Sequence, residues 1–271
     1  MMAILSLHSA SSGLSALDTK LEVIANNIAN AGTQGFKGSR VMFEDLMYQE
    51  REQPGTQNVN GDIRPTGVFV GLGTKVSGTQ LDFRQGGMEP TGRTLDFTIQ
   101  GSGFFAVQVE DGLGLNGLAY TRAGNFALNA NRELVVANSN GRRLVPAITI
   151  PEDVPEESIT VTADGIVSFV QNGQTQEAGQ LELTIFPNTS GLQPVGENLF
   201  VETTASGQAI NTTPTENGAG NILQGFLEAS NVDPTKELIN LIRTQRLFEM
   251  NSQSIQAADE LLREVANLRR G

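Results

Sequence analysis

Apolar residues near the start of the chain recur at alternating intervals of three and four positions. This spacing is that of a heptad seam, which is narrower than the apolar stripe of a helix lying on a globular core. Gly32, Thr33 and Gly35 follow the pattern and are typical of a helix end. The pattern therefore predicts a helix over residues 4–31 that needs a partner helix. Its seam positions are Leu7, Ala10, Leu14, Leu17, Leu21, Ile24 and Ile28.

The other end of the chain repeats the same kind of spacing. Asp233 followed by Pro234 is typical of an N-cap and a first helical position. These residues predict a second long helix, which runs from there to the end of the chain. We therefore expect the two termini to pack on each other or on copies of each other. The apolar positions of the second helix are Leu238, Leu241, Phe248, Ile255, Ala258, Leu262 and Val265.

Polar residues interrupt both seams. Asn26, Asn27 and Asn30 are poor helix formers, and on a buried seam each costs free energy unless it is hydrogen-bonded. Two interpretations stay open: the helix frays before Gly32, or the amides fix register and partner orientation in a multi-helix assembly. Gln245 and Asn251 of the last helix are candidates for the same role.

The middle of the chain has a different pattern of apolar and polar residues. The periodicity of residues 36–48 does not distinguish a helix from a strand. Residues 49–68 are polar and rich in Gly, Pro, Asn and Gln, which predicts an extended loop or hairpin that serves as a functional arm. From residue 69 to 227 apolar and polar residues alternate between turn signals, which predicts an antiparallel β domain with hairpin turns at 129–132 and 163–165.

These patterns together predict an α+β fold. Long N- and C-terminal helices are expected to pack as a coiled-coil-like pair that forms an axial core domain, beside a central, mainly antiparallel β domain. The predicted boundaries are 1–36 with 229–271 for the terminal helical domain, 37–90 for an extended linker and arm, and 91–228 for the β domain.

Composition narrows the classes of function. None of the 271 residues is Cys, which excludes disulfides and thiolate metal sites. The formal net charge of -12, concentrated in the middle of the chain, argues against a nucleic acid as partner. No apolar run approaches the roughly 20 residues of a membrane span, so we expect no membrane insertion. The first residues lack the basic region of a signal peptide, so export would occur without cleavage.

No catalytic constellation emerges from the residue pattern. Gly101-Ser102-Gly103 lacks the third Gly and the following helix of a dinucleotide fingerprint. The single histidine, His8, has no carboxylate or serine arrangement nearby. The acidic residues around 152–157 lie in a Pro-flanked segment and indicate a solvated loop. We therefore expect no catalytic residue, no cofactor and no metal site.

Two long motifs resemble those of a known family. Residues 12–37 (SGLSALDTKLEVIANNIANAGTQGFK) strongly resemble the N-terminal motif of the bacterial flagellar rod and hook proteins, and residues 229–262 are similar to their C-terminal motif. The segments QGSGFFAVQ, YTRAGNFALNANRELV and PVGENLF match the middle of the family, so the resemblance covers essentially the whole chain. The opening MMAILSLHSA departs from the usual start.

The length of the chain is that of distal-rod members of this family. Residues 43–57 and 67–76 are similar to the extra segment that follows the first motif in those members. Proximal-rod members usually lack this segment and hook proteins are longer, and both stay as alternatives. The resemblance implies a structural subunit that is not an enzyme. It would assemble helically in the basal body into a rigid shaft that crosses the periplasm and transmits torque from motor to hook. The implied partners are copies of itself, proximal rod proteins, the hook protein, ring bushing proteins and the flagellar type III export apparatus.

A hypothesis of a different class is a soluble β-domain binding module with coiled-coil oligomerisation tails, which would form a small closed oligomer.

The heptad seams, the Asn and Gln amides and the polar arm together predict which residues contact neighbouring subunits. The predicted subunit-interface residues are Leu14, Leu17, Leu21, Ile24, Asn26, Asn27, Ile28, Asn30, Gln53, Pro54, Gly55, Leu238, Leu241, Gln245, Phe248, Asn251, Ile255 and Leu262.

Overall fold

A computed structural model describes residues 2–57, 61–63, 65–110, 112–171 and 173–268. The chain divides into two compact units. The helical unit comprises Met1–Ala29, Ser39–Gln80 and Asp233–Gly271, and the β unit comprises Asn30–Gly38 and Leu81–Val232. The domain boundaries expected from the sequence stay a prediction. Within the described residues, no helix has the length and apolar character needed to cross a membrane.

Two long α-helices belong to the helical unit, α1 (Met2–Ala29) and α2 (Pro234–Leu268). The predicted N-cap of α2 is confirmed: Asp233 Oδ1 accepts hydrogen bonds from the N–H of Thr235 at 3.0 Å and of Lys236 at 3.2 Å. These bonds satisfy two of the backbone donors that a helix leaves unpaired at its start. The helices pack against each other.

The predicted coiled-coil-like pair, however, is wrong. A coiled coil buries its seam side chains along both helices, but of the seven seam residues predicted in α1 only Ile24 is buried, and Leu238 of α2 is 51% exposed. The buried positions also include Ala16 of α1 and Thr244 of α2, which the apolar seams do not contain. The described chain holds two α-helices around a large β-rich middle, so the α+β part of the prediction fits and the long coiled-coil-like pair does not.

A long two-stranded ribbon completes the helical unit. Its strands are β1 (Ser39–Asp45), β2 (Tyr48–Glu52), β3 (Val68–Gly71) and β4 (Thr74–Leu81), and β1 pairs with β4 while β2 pairs with β3. Two backbone bonds join the pairs: Leu46 N–H donates to Gly73 O at 2.9 Å, and Leu72 N–H donates to Met47 O at 3.2 Å.

The ribbon resolves the segment that periodicity left open. Residues 39–45 are a strand because they pair with residues 30 to 40 positions further along, a contact that local periodicity does not report. Gln57 and Ile63 form an isolated antiparallel bridge towards the end of the ribbon. Residues 58–60 and 64 of the predicted arm lie outside the described residues.

The remaining strands all belong to the β unit, and the pairings described between them are antiparallel, as predicted. Single turns of 3-10 helix occur at Leu115–Gly117, Glu156–Ser158 and Thr189–Gly191. The strands are β5 (Met88–Pro90), β6 (Phe97–Gln100), β7 (Phe105–Gln108), β8 (Leu118–Thr121), β9 (Phe126–Leu128), β10 (Leu134–Val136), β11 (Leu144–Val145), β12 (Ile159–Val161), β13 (Ile166–Gln171), β14 (Gln174–Gln180), β15 (Leu183–Ile185), β16 (Gln193–Gly196), β17 (Leu199–Val201), β18 (Ile210–Thr212), β19 (Asn221–Gln224) and β20 (Phe226–Glu228).

These strands form one five-stranded sheet in the order β11-β7-β8-β17-β16, a three-stranded sheet in the order β12-β13-β14, and the pairs β9–β10, β15–β18, β6–β19 and β5–β20. The two predicted hairpin turns are confirmed, because β9 and β10 flank residues 129–132 and β12 and β13 flank residues 163–165. Both turns include a residue in the left-handed region, Arg132 at φ 60 and Gly165 at φ 81.

The core of the β unit lies on both faces of β7. Phe105 and Val107 point into a large apolar cluster, and the alternate residues Phe104 and Ala106 point into a smaller one. Such alternation is what a central strand shows when both of its faces are covered. The Phe105 ring meets Phe126 edge to face at a centroid distance of 5.2 Å.

Candidate assembly interface

The two units differ in where their apolar side chains lie. Among residues whose side chains the structure describes, every buried apolar one belongs to the β unit except Ala16 and Ile24. Large exposed apolar side chains, in contrast, concentrate in the helical unit, and contiguous surfaces of this kind mark sites of protein interaction. In the helical unit they are Met42, Phe43, Met47, Tyr48, Ile63, Val68, Phe69, Leu238, Ile239, Ile242, Leu247, Met250 and Leu261.

Helix α2 has apolar residues on two opposite faces. Successive residues of a helix are rotated by about 100°, so the exposed Leu238, Ile242 and Met250 lie across the helix from its less exposed side. A helix that is apolar on two faces needs a partner on each. We call the exposed residues Leu238, Ile239, Ile242 and Met250 the outer face of α2. The less exposed side consists of Leu241, Thr244, Phe248, Asn251, Ile255, Ala258 and Leu262.

The part of the ribbon formed by β2 and β3 is a second uncovered surface. Every residue of β2 is exposed, and Phe69 of β3 is 52% exposed. A two-stranded ribbon is marginally stable alone in water. Tyr48 Oη donates to Asp45 Oδ2 at 2.9 Å, and this hydrogen bond raises the pKa of Tyr48. Gln53, Pro54 and Gly55 of the predicted arm are exposed where the chain leaves β2.

Helix α1 packs along strand β1 of the ribbon. Asn27 bonds the backbone of Ser39 twice: its Nδ2 donates to Ser39 O at 2.8 Å, and its Oδ1 accepts from Ser39 N–H at 3.0 Å. Further along, Lys20 Nζ lies 5.9 Å from the centre of the Phe43 ring. Gly73, at φ 116, passes so close to α1 that a Cβ there would overlap Ser12 Oγ.

The predicted interface residues fall into three classes of exposure. Ile24 and Asn27 are buried. Asn26, Gln53, Pro54, Gly55, Leu238 and Gln245 are exposed. The others, Leu14, Leu17, Leu21, Ile28, Asn30, Leu241, Phe248, Asn251, Ile255 and Leu262, are half-buried. The structure therefore places most of these residues where the subunit covers them in part, and their role between subunits stays a prediction.

A buried cluster of charges in the β unit escaped the sequence analysis. Lys37 Nζ donates to Glu228 Oε1 at 2.6 Å, and neither side chain is accessible to solvent. Arg122 Nη1 lies 3.6 Å from Glu228 Oε2, and Arg122 Nη2 donates to Gly101 O at 2.8 Å. The Arg122 guanidinium also stacks 5.1 Å from the centre of the Phe104 ring.

Burial dominates the electrostatics of this cluster. It lowers the pKa of Lys37, against the opposing effect of the neighbouring Glu228 carboxylate, and it also lowers the pKa of Arg122. Removing one member of a buried ion pair leaves an uncompensated charge, which is strongly destabilising. The one available sequence signal was Lys37, a charged residue that directly follows the apolar Phe36 at the end of the first motif.

Neighbouring backbone is held as tightly. Gly35, at φ 70, donates its N–H to Glu228 O at 2.7 Å, and a Cβ at this position would come within 2.7 Å of Ala123 N. Asn231 N–H reaches Phe36 O at 3.4 Å. A glycine is therefore required just before Lys37 by both backbone conformation and close packing.

Two further observations concern possible catalytic and metal-binding residues. His8 Nδ1 lies 3.3 Å from Leu72 O, which makes it a structural contact between α1 and the ribbon. Across the described residues no group of three or more His, Cys, Asp and Glu side chains could hold a metal ion.

Three family models match successive parts of the chain. "Flagella basal body rod protein" matches residues 7–37, "Flagellar hook protein FlgE/F/G D1 domain" matches residues 98–169, and "Flagellar basal body rod FlgEFG protein C-terminal" matches residues 223–268. The first match ends at Lys37, and the last contains Glu228 and Asn231. The buried charge pair therefore joins the two terminal matches.

Whole-chain relatives agree with these matches. The flagellar basal-body rod protein FlgG of Buchnera aphidicola subsp. Acyrthosiphon pisum is 43% identical over 265 residues, which cover 97% of this chain and 99% of the relative. FlgG of Borreliella burgdorferi is 42% identical over 266 residues, 97% of this chain and 98% of the relative. The chain belongs to the FlgG family of flagellar basal-body rod proteins.

A hook relative is more distant. The flagellar hook protein FlgE of Salmonella typhimurium is 26% identical over 427 residues, 98% of this chain and all of the relative. The FlgG relatives align over a length close to that of this chain, whereas the hook protein needs a much longer alignment. This difference favours the rod over the hook, and it locates this member of the FlgG family in the rod of the basal body.

Proposed function

We propose that this FlgG-family chain is a structural subunit of the distal rod, which assembles helically with its own copies and transmits torque from motor to hook. The observation that carries the proposal is the outer face of α2, whose apolar side chains the subunit leaves 44–54% exposed. The role is structural and involves no catalysis. Partners are other copies, the neighbouring rod and hook proteins, the ring bushing and the type III export apparatus.

The energetic case rests on repetition. Covering the exposed part of one Leu, Ile or Met side chain contributes on the order of 1 kcal/mol. Four such side chains on the outer face of α2 therefore supply a few kcal/mol at each contact, which association entropy offsets for an isolated pair of subunits. In a helical polymer each subunit uses its surfaces with several neighbours, and head-to-tail contacts that do not close give an open filament.

The ribbon supports the distal assignment. Residues 43–57 and 67–76, which resemble the segment of distal-rod members, form most of it. Because β2 is exposed along its length, we propose that Gln53, Pro54 and Gly55 contact neighbouring subunits. Contacts through both the helices and the ribbon would limit sliding between subunits and so make the shaft rigid.

A matched pair of substitutions tests the proposal. Ile242→Glu places a charge on the outer face of α2, where the native side chain is 44% exposed. Ile210→Glu makes the same change at a side chain 47% exposed in the β unit. In cells that lack the native gene, we expect Ile242→Glu to abolish complete rods and swimming, and Ile210→Glu to retain both. Electron microscopy of isolated basal bodies gives the rod count.

The free protein supplies the control. Far-UV circular dichroism should be the same for both variants, because each substituted side chain is already half exposed. Normal rods with Ile242→Glu would refute the interface. A small closed oligomer of the free wild-type chain in sedimentation experiments would instead support the β-domain binding module.

A further inference from the structure

Three segments that are far apart in sequence meet at one polar site inside the β unit. They are residues 35–38, 82–86 and 228–231, and we call this site the junction. Lys37, Glu228 and Asn231 provide the side chains that connect them. Each of the three segments lies close to a point at which the chain passes from one unit to the other: after Gly38, before Leu81 and after Val232.

The carboxylate of Glu228 holds two segments at once. Its Oε1 accepts from Lys37 Nζ at 2.6 Å and from Gly86 N–H at 2.9 Å. Lys37 Nζ makes a further bond to Arg84 O at 2.9 Å. Side chains of residues 37 and 228 therefore fasten the middle segment from both sides. Bonds from ionised groups of this kind are stronger than those between neutral groups.

The amide of Asn231 performs the same function without charge. Its Oδ1 accepts from Gly38 N–H at 2.9 Å, and its Nδ2 donates to Asp82 O at 2.7 Å and to Arg84 O at 3.1 Å. Asp82 N–H closes the site by donating to Gly38 O at 2.8 Å. One side chain thus bonds the backbone of both other segments.

We propose that the junction anchors the β unit against mechanical load, with Lys37, Glu228 and Asn231 as its positioning residues. The inference rests on the proposed torque-transmitting function. The chain passes between the units at four points. Three of them adjoin these segments, and the fourth, between Ala29 and Asn30, lies five residues before residue 35. Force that travels along the chain through any of the three adjoining points enters the β unit at the junction. Because the segments are bonded to one another, a pull on any one is shared by all three before it reaches the strands of the core.

The arrangement explains why charges are buried here. An ion pair that excludes water is costly to form and costly to break by removing a partner, so it does not fray as exposed backbone bonds do. Lys37 and Glu228 side chains are both inaccessible to solvent. The pair of Arg142 Nε with Glu197 Oε2, at 3.1 Å in the same unit, lacks this protection because the Glu197 side chain is exposed.

Hydrogen exchange of the full-length free chain tests the coupling. With Glu228→Gln we expect amide protection to fall about tenfold or more in residues 35–38 and 82–86 as well as in 228–231, with strand β7 unchanged. Asn231→Ala, which keeps every charge, should give the same pattern and serves if Glu228→Gln does not fold. Glu197→Gln is the matched control and should leave all three segments protected.

Loss of protection confined to the substituted segment would overturn the inference, and so would uniform loss throughout the β unit with both variants. This readout needs no assembled rod, so it is independent of the Ile242→Glu experiment that tests the proposed function.

Load itself is tested in cells. Rods that carry Asn231→Ala should be intact where the motor is paralysed and broken several-fold more often where it turns, whereas Glu197→Gln rods survive both conditions. Equal breakage in the two conditions would refute a mechanical role.

Discussion

The β unit and the helical unit are stabilised by different means. In the β unit, Phe97, Phe105 and Phe126 are each fully buried and pack ring against ring. In the helical unit only Ala16 and Ile24 are buried among the apolar side chains described, and the specific contacts are polar, such as Asn27 with Ser39. One unit contains its own hydrophobic core, and the other exposes the apolar surface from which a core could be built.

The difference explains how one chain can fold its β unit and still present apolar surface for assembly. The core clusters of the β unit consist of its own residues. The outer face of α2 and the exposed ribbon remain available for contacts with other subunits. Assembly can therefore complete the helical unit while the β unit stays unchanged.

The largest expected effect is a loss of stability on removing a core side chain of the β unit, and it tests the contrast between the two units. Phe105→Ala should lower the free energy of unfolding by about 3–5 kcal/mol, because it leaves a cavity in a core where the native ring is fully buried. Phe43→Ala in the helical unit should cost less than about 1 kcal/mol in the free chain, since that ring is already 40% exposed. Chemical denaturation followed by circular dichroism measures both. Equal costs would contradict the division between the units.

A second experiment sharpens the account of the helical unit. Asn27→Ala should cost about 1–3 kcal/mol, because it removes two hydrogen bonds from a buried site. Ser39→Ala should change stability by less than about 0.5 kcal/mol, since Asn27 bonds only the backbone of Ser39. Hydrogen exchange at residues 24–29 and at Ser39 reports the loss. A comparable effect of both variants would argue against the backbone bonds.

The smallest effect concerns the start of α2. Hydrogen bonds with the Lys236 side chain and backbone lower the pKa of Asp233 below its ordinary value of 3.8. A carboxyl whose pKa is depressed on folding stabilises fully above its ordinary pKa, and this contribution disappears as the pH falls through the depressed value. We therefore expect the amides of Thr235 and Lys236 to lose protection below about pH 4. Asp233→Asn, which retains an N-cap side chain, should remove this dependence on pH.

Local features were the ones that sequence predicted well. The N-cap of α2 and the hairpin turns at 129–132 and 163–165 depend on residues close together in the chain. Capping, left-handed turn residues and period-two patterns act over a few positions, so the residue types themselves report them.

The predicted coiled-coil-like pair failed for a related reason. Intervals of three and four describe any helix with a covered side, and they do not identify what covers it. In the structure α1 packs both on α2 and along β1, so its contacts are shared between a helix and a ribbon. Buried positions are occupied by the small Ala16 and by the polar Asn27 and Thr244, whose side chains are hydrogen-bonded to backbone carbonyls.

The sequence by itself determined the two terminal helices, the β-rich middle, the helix start at Asp233 and the family, because motifs and periodicity are properties of neighbouring residues. Only the tertiary structure decided which side of α2 stays exposed, how residues 39–81 pair, and that Lys37 meets Glu228 across 191 positions. A buried ion pair between such distant residues leaves no local pattern, since each charge alone is typical of a solvated surface. The fold provides the partner that makes its burial possible.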